Sequence, residues 1–491
     1  MDQDLQSMQE ARSLAEAAYV AQQAFFNFSQ EQVDHICAAM AEAAYRESER
    51  LGRLATEETG YGLPQHKTLK NHLGSRQVWE SIKEVKTVGV ISQDRARGTV
   101  DIGWPMGVVA AVSPSTNPTS TVMYKTLIAV KARNGVVHAP HPAAGRCCGE
   151  TVRVMAEAGE AAGMPQGLVS CMATISLEGT QALMRHRRIA LIVATGGPDI
   201  VRVAHSMGKP AYGVGPGNVP CYVDRSADIQ KAARYIVSSK AFDNSVICAT
   251  EQAVIADKPI AQELRQEMER LGAYFVSPAE AEALATLLFA PAGRMNPKAV
   301  GQTPQTLGQM ANIPIPASAR ILVARLNQVG REEPLSREKL TTVLGWYEAE
   351  GWEAGCERCL ELIRFGGRGH TLVIHATDEN VILRFGLEKP VFRILVNTMG
   401  TLGSVGITTN LMPAMTLGSG GIGGSITGDN ITTTHLLNVK RLAYEVTDPP
   451  AAAMLEAAVP GPTAQPAGPK NISAAEVEEI VRRVLQALKG Q

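Results

Sequence analysis

Short, continuous apolar runs alternate with helical stretches through the middle of this chain, and few folds accommodate that alternation. The runs are GVVAAV at 107–112, NGVVHA at 134–139 and IALIVA at 189–194, with a shorter one at 168–172. None alternates polar with apolar residues, so each strand must be covered on both faces, as in a parallel sheet flanked by helices. Helical spacing fills the gaps, at 120–131, 146–162 and 178–185. Strand, helix and strand recurring with short connections predict a doubly wound α/β fold. The 45 glycines among 491 residues suit the tight turns and close backbone approaches of such a fold.

The pattern resumes with a helix at 229–241 and an apolar strand at 252–256, which predicts a second α/β layer over about 230–417. Two helices, at 3–26 and 28–45, lead in. Ser29 and Gln32 are spaced as a capping box for the second. Residues 446–470 are rich in Pro, Ala and Gly and read as a linker. Beyond it, ISAAEVEEIVRRVLQALKG predicts an amphipathic helix with a Ser473/Glu476 capping box. Its apolar stripe runs through Val477, Ile480, Val481, Val484, Leu485 and Leu488. So short a helix is marginal alone in water, which implies a docked partner.

Charge and composition exclude several classes of function. A formal net charge of -1 supplies no basic field for nucleic acid or an anionic membrane. No apolar run approaches the roughly 20 residues that span a bilayer. The acidic, polar start MDQDLQSMQE lacks the order of a secretion signal, and eight cysteines without framework spacing suggest reduced thiols. A cytoplasmic protein is expected.

Cys248 lies in SKAFDNSVICATEQAVIAD, between the turn formers Asp243, Asn244 and Ser245 and a strand. A cysteine there could project its thiol from a loop onto a rigid sheet, although most cysteines are only small buried hydrophobes. Taken with PSTNPTS at 114–120 and ATGGPDIV at 194–201, the stretch resembles the aldehyde dehydrogenase superfamily over about residues 5–446. The closer resemblance is to its coenzyme A-acylating branch, which includes propionaldehyde and acetaldehyde dehydrogenases. The resemblance implies a Rossmann-like cofactor domain, an α/β catalytic domain and an oligomerisation hairpin. The chain is expected to divide into 1–228, 229–417 and a return segment at 418–446, followed beyond the resemblance by the linker 447–471 and the terminal helix 472–491. Hairpin strands are expected at about 87–101 and 432–444, in a homodimer or homotetramer.

Site roles follow from the same resemblance. Cys248 is the nucleophile, and Asn117 supplies an oxyanion-hole amide. Pro114, Ser115, Thr195, Gly196, Gly197 and Gly215 lie against NAD, with Gly196-Gly197 opening a helix at the pyrophosphate. Glu338 binds the nicotinamide ribose. Pro140-His141-Pro142 stands where hydrolytic members carry a lysine for the adenosine ribose, so preference for NAD over NADP is only an expectation. His370 could line a coenzyme A channel, though a packed histidine would look the same. The segment 416–424 (TLGSGGIGG) resembles one that closes over the mouth of the site. Cys356 and Cys359 form a CxxC without a second pair and read as structural thiols, as do Cys147 and Cys148.

An absence is the most informative feature. Hydrolytic members place a glutamate in a Glu-Leu-Gly-Gly-Lys-like stretch to activate water. The corresponding GVGPGNVP at 213–220 has no carboxylate. General-base help is worth roughly 100- to 10,000-fold, so coenzyme A should outcompete water for the thioester. The implied function is NAD-dependent oxidation of a short-chain aldehyde to acyl-CoA, with propionaldehyde first and acetaldehyde next. A functionalised aldehyde such as sulfoacetaldehyde, or hydrolysis to the acid, are the alternatives. The terminal helix looks like an encapsulation peptide, which implies shell or cargo partners in a bacterial microcompartment lumen.

Overall fold

The computed structural model describes residues 2–290 and 293–447, with Ser473, Ala475 and Glu479 beyond them. The linker and almost all of the terminal helix lie outside the described residues. Contacts divide the chain into two compact units, Met1–Gln93 with Asp101–Arg441, and Asp94–Val100 with Leu442–Gln491. In the smaller unit, the Tyr444 N–H donates to Gly98 O at 2.8 Å.

The larger unit holds two parallel sheets. The first orders its five strands Val169–Cys171, Gly135–Pro140, Val108–Ser113, Ile189–Thr195 and Ala211–Val214. Val108–Ser113 is central, with Val112 level with Ala139 on one side and Ala194 on the other. All its residues are buried, as its unbroken apolar run requires. The chain winds outward on one flank, returns, then winds outward on the other. The order therefore reverses between Val108–Ser113 and Ile189–Thr195, and ligands of open α/β sheets bind at the carboxyl ends of such strands. The two leading helices form at Gln3–Phe25 and Gln30–Arg46, and Ser29 and Gln32 make the predicted capping box.

The second sheet has seven strands, ordered Ala273–Phe275, Ile321–Arg325, Val343–Ala349, Glu251–Asp257, Val219–Val223, Leu372–His375 and Ile394–Val396. Val219–Val223 falls within the expected N-terminal segment 1–228, yet it pairs with Glu251–Asp257 and Leu372–His375. The chain changes sheets within 215–218. Local sequence cannot reveal this, because a five-residue buried strand would suit either sheet. The predicted helix at 229–241 forms as Ile229–Ala241.

A three-stranded sheet joins Gly89–Asp94, Thr99–Pro105 and Leu437–Ala443; the first and third lie within the segments expected for the hairpin, while the second runs past residue 101 to Pro105. Val90 and Val439 on it are about half exposed, at 54% and 50%. Among the described residues, no helix is long and apolar enough to cross a membrane.

Candidate active site

The carboxyl end of the central strand Val108–Ser113 runs into Pro114-Ser115-Thr116-Asn117. Asn117 is the first flanking residue of the helix Pro118–Lys131, whose residues are all buried. Proline at the first helical position needs no N–H there, which suits a sharp strand-to-helix turn. The neighbouring strand Ile189–Thr195 ends in Gly196-Gly197, and Pro198 opens the next helix, Pro198–His205. A Cβ on Gly197 would meet nothing within 4 Å, so open space lies over this helix N-terminus. The N–H groups there can receive a pyrophosphate.

The second sheet contributes its opposite edge. Gly217 precedes Val219–Val223, Cys248 precedes Glu251–Asp257, Glu338 precedes Val343–Ala349 and His370 precedes Leu372–His375. Between the two edges lies a cavity of about 580 Å³, and every residue named above for catalysis or cofactor binding lines it. These are Cys248, Asn117, Pro114, Ser115, Pro140, His141, Thr195, Gly196, Gly197, Gly215 and Glu338. His141 also caps its own turn, its Nδ1 accepting from the Ala143 N–H at 3.1 Å.

Cys248 is partly buried, and burial pushes its thiol up to about 12. Glu338 raises it further, while Arg393 and the N–H groups of Cys248 and Ala249 lower it. Glu338 accepts from the Gly217 N–H at 2.8 Å. Burial lifts its carboxyl to about 8 against the pull of that bond, Lys240 and Lys339. In the wall from the 213–220 stretch stand Val214, Gly215 and Pro216, so Glu338 is the only carboxylate lining the cavity among the described residues.

Several contributors escape sequence reasoning. Arg393 is buried and donates to Asn430 Oδ1 at 2.9 Å, His370 O at 3.0 Å and Gly418 O at 3.3 Å. It thus ties the glycine-rich segment to the sheet edge. Within that segment, Thr416 Oγ1 lies 2.9 Å from Thr195 Oγ1 and Leu417 lines the cavity, as does Met415 just before it. His370 does not line it. It packs behind Gly217, where an added Cβ would stand 3.1 Å from its Nδ1. Cys356 and Cys359 lie buried in the helix Gly351–Phe365, and Cys147 and Cys148 lie buried in Gly145–Ala161.

The turn before Cys248 is unusual. Asp243, Asn244 and Ser245 are buried with φ of 49°, 50° and 67°, a left-handed conformation that costs non-glycine residues about 1–3 kcal/mol each. Lys67 and Lys70, also buried, both donate to Asp243 Oδ2, and the Leu63 N–H donates to Oδ1 at 2.7 Å. Burial alone would raise the Asp243 carboxyl, but the two ammonium groups hold it below its ordinary value. Burial and the neighbouring Lys67 pull Lys70 down from its ordinary value, against the attraction of Asp243 that keeps the pair charged. In sequence, Lys67 and Lys70 look like ordinary solvated lysines on one helix face. Only their position marks them.

A profile of the aldehyde dehydrogenase family matches residues 3–275. The chain is 39% identical over 425 residues to aldehyde-alcohol dehydrogenase 2 of Entamoeba histolytica, covering 85% of this chain and 49% of that protein. It spans about half the length of the first curated relatives it matches. The acetylating succinate-semialdehyde dehydrogenase of Clostridium kluyveri is 34% identical, with 88% of this chain covering 95% of that protein. Among solved structures, an acetylating aldehyde dehydrogenase from Geobacillus thermoglucosidasius superposes with a TM-score of 0.90 at 47% identity, covering 92% of this chain and 99% of that one. A Rhodopseudomonas palustris propionaldehyde dehydrogenase, with bound CoA and an acylated cysteine, gives 0.81 at 29% identity over 88% and 97%. The propionaldehyde dehydrogenase of a Clostridium phytofermentans fucose-utilisation microcompartment gives 0.79 at 29% over 88% and 96%. Sequence, fold and cavity agree: the chain belongs to the aldehyde dehydrogenase family.

Proposed function

We propose that the chain catalyses NAD-dependent, coenzyme A-acylating oxidation of a short-chain aldehyde, with propionaldehyde favoured and acetaldehyde next. The observation that carries this reading is the cavity wall. It gathers Cys248, Asn117 and the Gly196-Gly197 turn, while the 213–220 stretch brings only apolar residues and glycine. Relatives named for acetylating activity, and a neighbour with bound CoA, support the same branch.

In this mechanism the Cys248 thiolate adds to the aldehyde carbon, and the carbonyl π pair becomes an oxyanion. The Asn117 amide and the Cys248 N–H are the donors for that charge. NAD, if bound here, would supply the hydride acceptor, and loss of hydride from the carbon bonded to Cys248 Sγ leaves a thioester on Cys248. Glu338 and the N-terminus of Pro198–His205 are the groups that would hold the dinucleotide. The thiolate of coenzyme A then attacks the thioester carbonyl and expels the Cys248 thiolate. Water competes poorly, because Glu338, the single carboxylate in the wall among the described residues, is held mostly protonated at neutral pH. Among the described residues the wall also lacks lysine and arginine, which favours a neutral aldehyde over an anionic one such as sulfoacetaldehyde.

NADH formation over a panel of two- to four-carbon aldehydes, with and without coenzyme A, tests the reading. Product should require coenzyme A, and Cys248→Ala should abolish it. Turnover independent of coenzyme A would sink the acylating assignment; full activity in Cys248→Ala would sink the mechanism. Parallel assays with NAD and NADP decide the cofactor preference.

The quaternary and cellular setting is part of the proposal. The half-exposed apolar residues of the three-stranded sheet suit a homodimer or homotetramer. The capped, amphipathic pattern of 472–491 suits an encapsulation peptide, and a structural neighbour comes from a microcompartment.

A further inference from the structure

Asn117 carries an amide whose two ends differ chemically, so the direction it faces matters. Lys70 Nζ lies 2.5 Å from Asn117 Oδ1 and also donates to Asp243 Oδ2. A lysine ammonium can only donate, so the amide must turn its oxygen toward Lys70. Its NH2 then faces the other way, donating to Val246 O at 3.0 Å and to Thr116 Oγ1 at 3.2 Å. Val246 stands two residues before Cys248. Lys67 makes a parallel bridge, from Thr116 O at 2.6 Å to Asp243 Oδ2 at 2.9 Å. Two buried lysines thus join the end of the first sheet to the strained turn that presents Cys248. Lys67 and Lys70 are 1% exposed and Asp243 is fully buried. Desolvating three charges is costly unless each is paired. Such a cluster is more than two hydrogen bonds between loops would need.

We infer that Lys70 is a positioning residue of the reaction: through the Asn117 carbonyl it fixes the facing of the amide and polarises its N–H toward the oxyanion formed as Cys248 adds to the aldehyde. This rests on the function proposed above. The bond that forms is Cys248 Sγ to carbonyl carbon, the pair that moves is the carbonyl π pair, and no proton passes through Lys70. The longer bond to Thr116 Oγ1 is the one an oxyanion can replace. Drawing density from the amide oxygen strengthens both N–H donors.

The test compares Lys70→Met, Lys70→Gln, Asn117→Ala and the double variant Lys70→Met/Asn117→Ala, each assayed for aldehyde turnover and for alkylation of Cys248 by iodoacetamide. Alkylation forms no oxyanion, so it reports the thiol and its turn alone. Lys67 still pairs Asp243 in every variant. Losing one oxyanion donor costs about 100- to 1,000-fold in kcat; Asn117→Ala should fall in that range. Lys70→Met should lose about tenfold or more in kcat, with KM for NAD and the alkylation rate changed less than about twofold. Lys70→Gln, which still offers an N–H to Asn117 Oδ1, should recover part of the loss. In the Asn117→Ala background Lys70→Met should cost nothing further. Additive losses in the double variant, or alkylation falling in step with kcat, would overturn the inference. Wild-type kcat in Asn117→Ala would instead overturn the oxyanion role of Asn117.

Discussion

At Cys248 the surroundings oppose ionisation. Burial contributes most to lifting the thiol to about 12, with Glu338 adding to it and Arg393 opposing. Below that value the thiolate fraction rises about tenfold per pH unit. Alkylation of the unliganded protein should therefore climb through pH 9 without a plateau. A plateau near pH 8 would show the thiol to be activated already in the free protein. Glu338 is itself raised to about 8 by burial, so it is mostly neutral below pH 8 and charged above. Glu338→Gln should speed alkylation above about pH 8 and leave it nearly unchanged below, as a stopped-flow pH profile would record. Cys248, Asn117 and Glu338 were identifiable because their flanking sequences resemble family motifs. Lys67, Lys70 and Asp243 were not, since their chemistry comes from burial and from partners far along the chain.

Glycines show how elements constrain chemistry. A Cβ on Gly217 would stand 2.3 Å from Cys248 O, and that backbone carbonyl cannot move without shifting Cys248. Gly217→Ala should lower kcat at least tenfold and destabilise by about 1–3 kcal/mol, read from steady-state kinetics and the thermal midpoint. Gly386 is the contrast. It lies in the helix Glu379–Glu388, exposed, with nothing within 4 Å of an added Cβ. Gly386→Ala should stabilise by about 0.5–1 kcal/mol with kcat unaltered. At Pro278–Leu288, Ser277 and Glu280 form a reciprocal capping box. Ser277→Ala should cost about 1 kcal/mol in denaturant titration, again with kcat unaltered. Strands and helices were legible to within a residue or two around 107–194, because buried parallel strands and capped helices leave local patterns. The left-handed run Asp243–Asn244–Ser245 was legible only as a turn, since three successive positive φ values in non-glycine residues have no sequence signature.

For the whole molecule, the two parallel sheets present unlike edges to the cavity. The five-stranded sheet offers its carboxyl edge, where a dinucleotide is expected. The seven-stranded sheet offers its amino edge, carrying Gly217, Cys248 and Glu338. A cofactor held on one edge, as proposed, would thus face the Cys248 thiol carried by the other. Removing 472–491 should leave kcat intact and abolish co-purification with shells. Unchanged shell association in the truncated protein would refute the encapsulation reading. Val439→Asp, on the exposed face of the three-stranded sheet, should shift the protein toward smaller species in light scattering coupled to size exclusion.

Local sequence by itself determined the element types, their order and the α/β class, because strand burial, capping and turn chemistry act over a few residues. Motif resemblance added Cys248 and Asn117 as the proposed nucleophile and oxyanion partner. Tertiary structure alone decided which sheet Val219–Val223 joins, which edges meet and which charges are buried together. Lys70 and Asp243 lie 173 residues apart, and Glu338 and Gly217 lie 121 apart. Contacts that distant depend on how two sheets pack, and packing follows from shape and burial summed over the whole chain rather than from any single stretch of it.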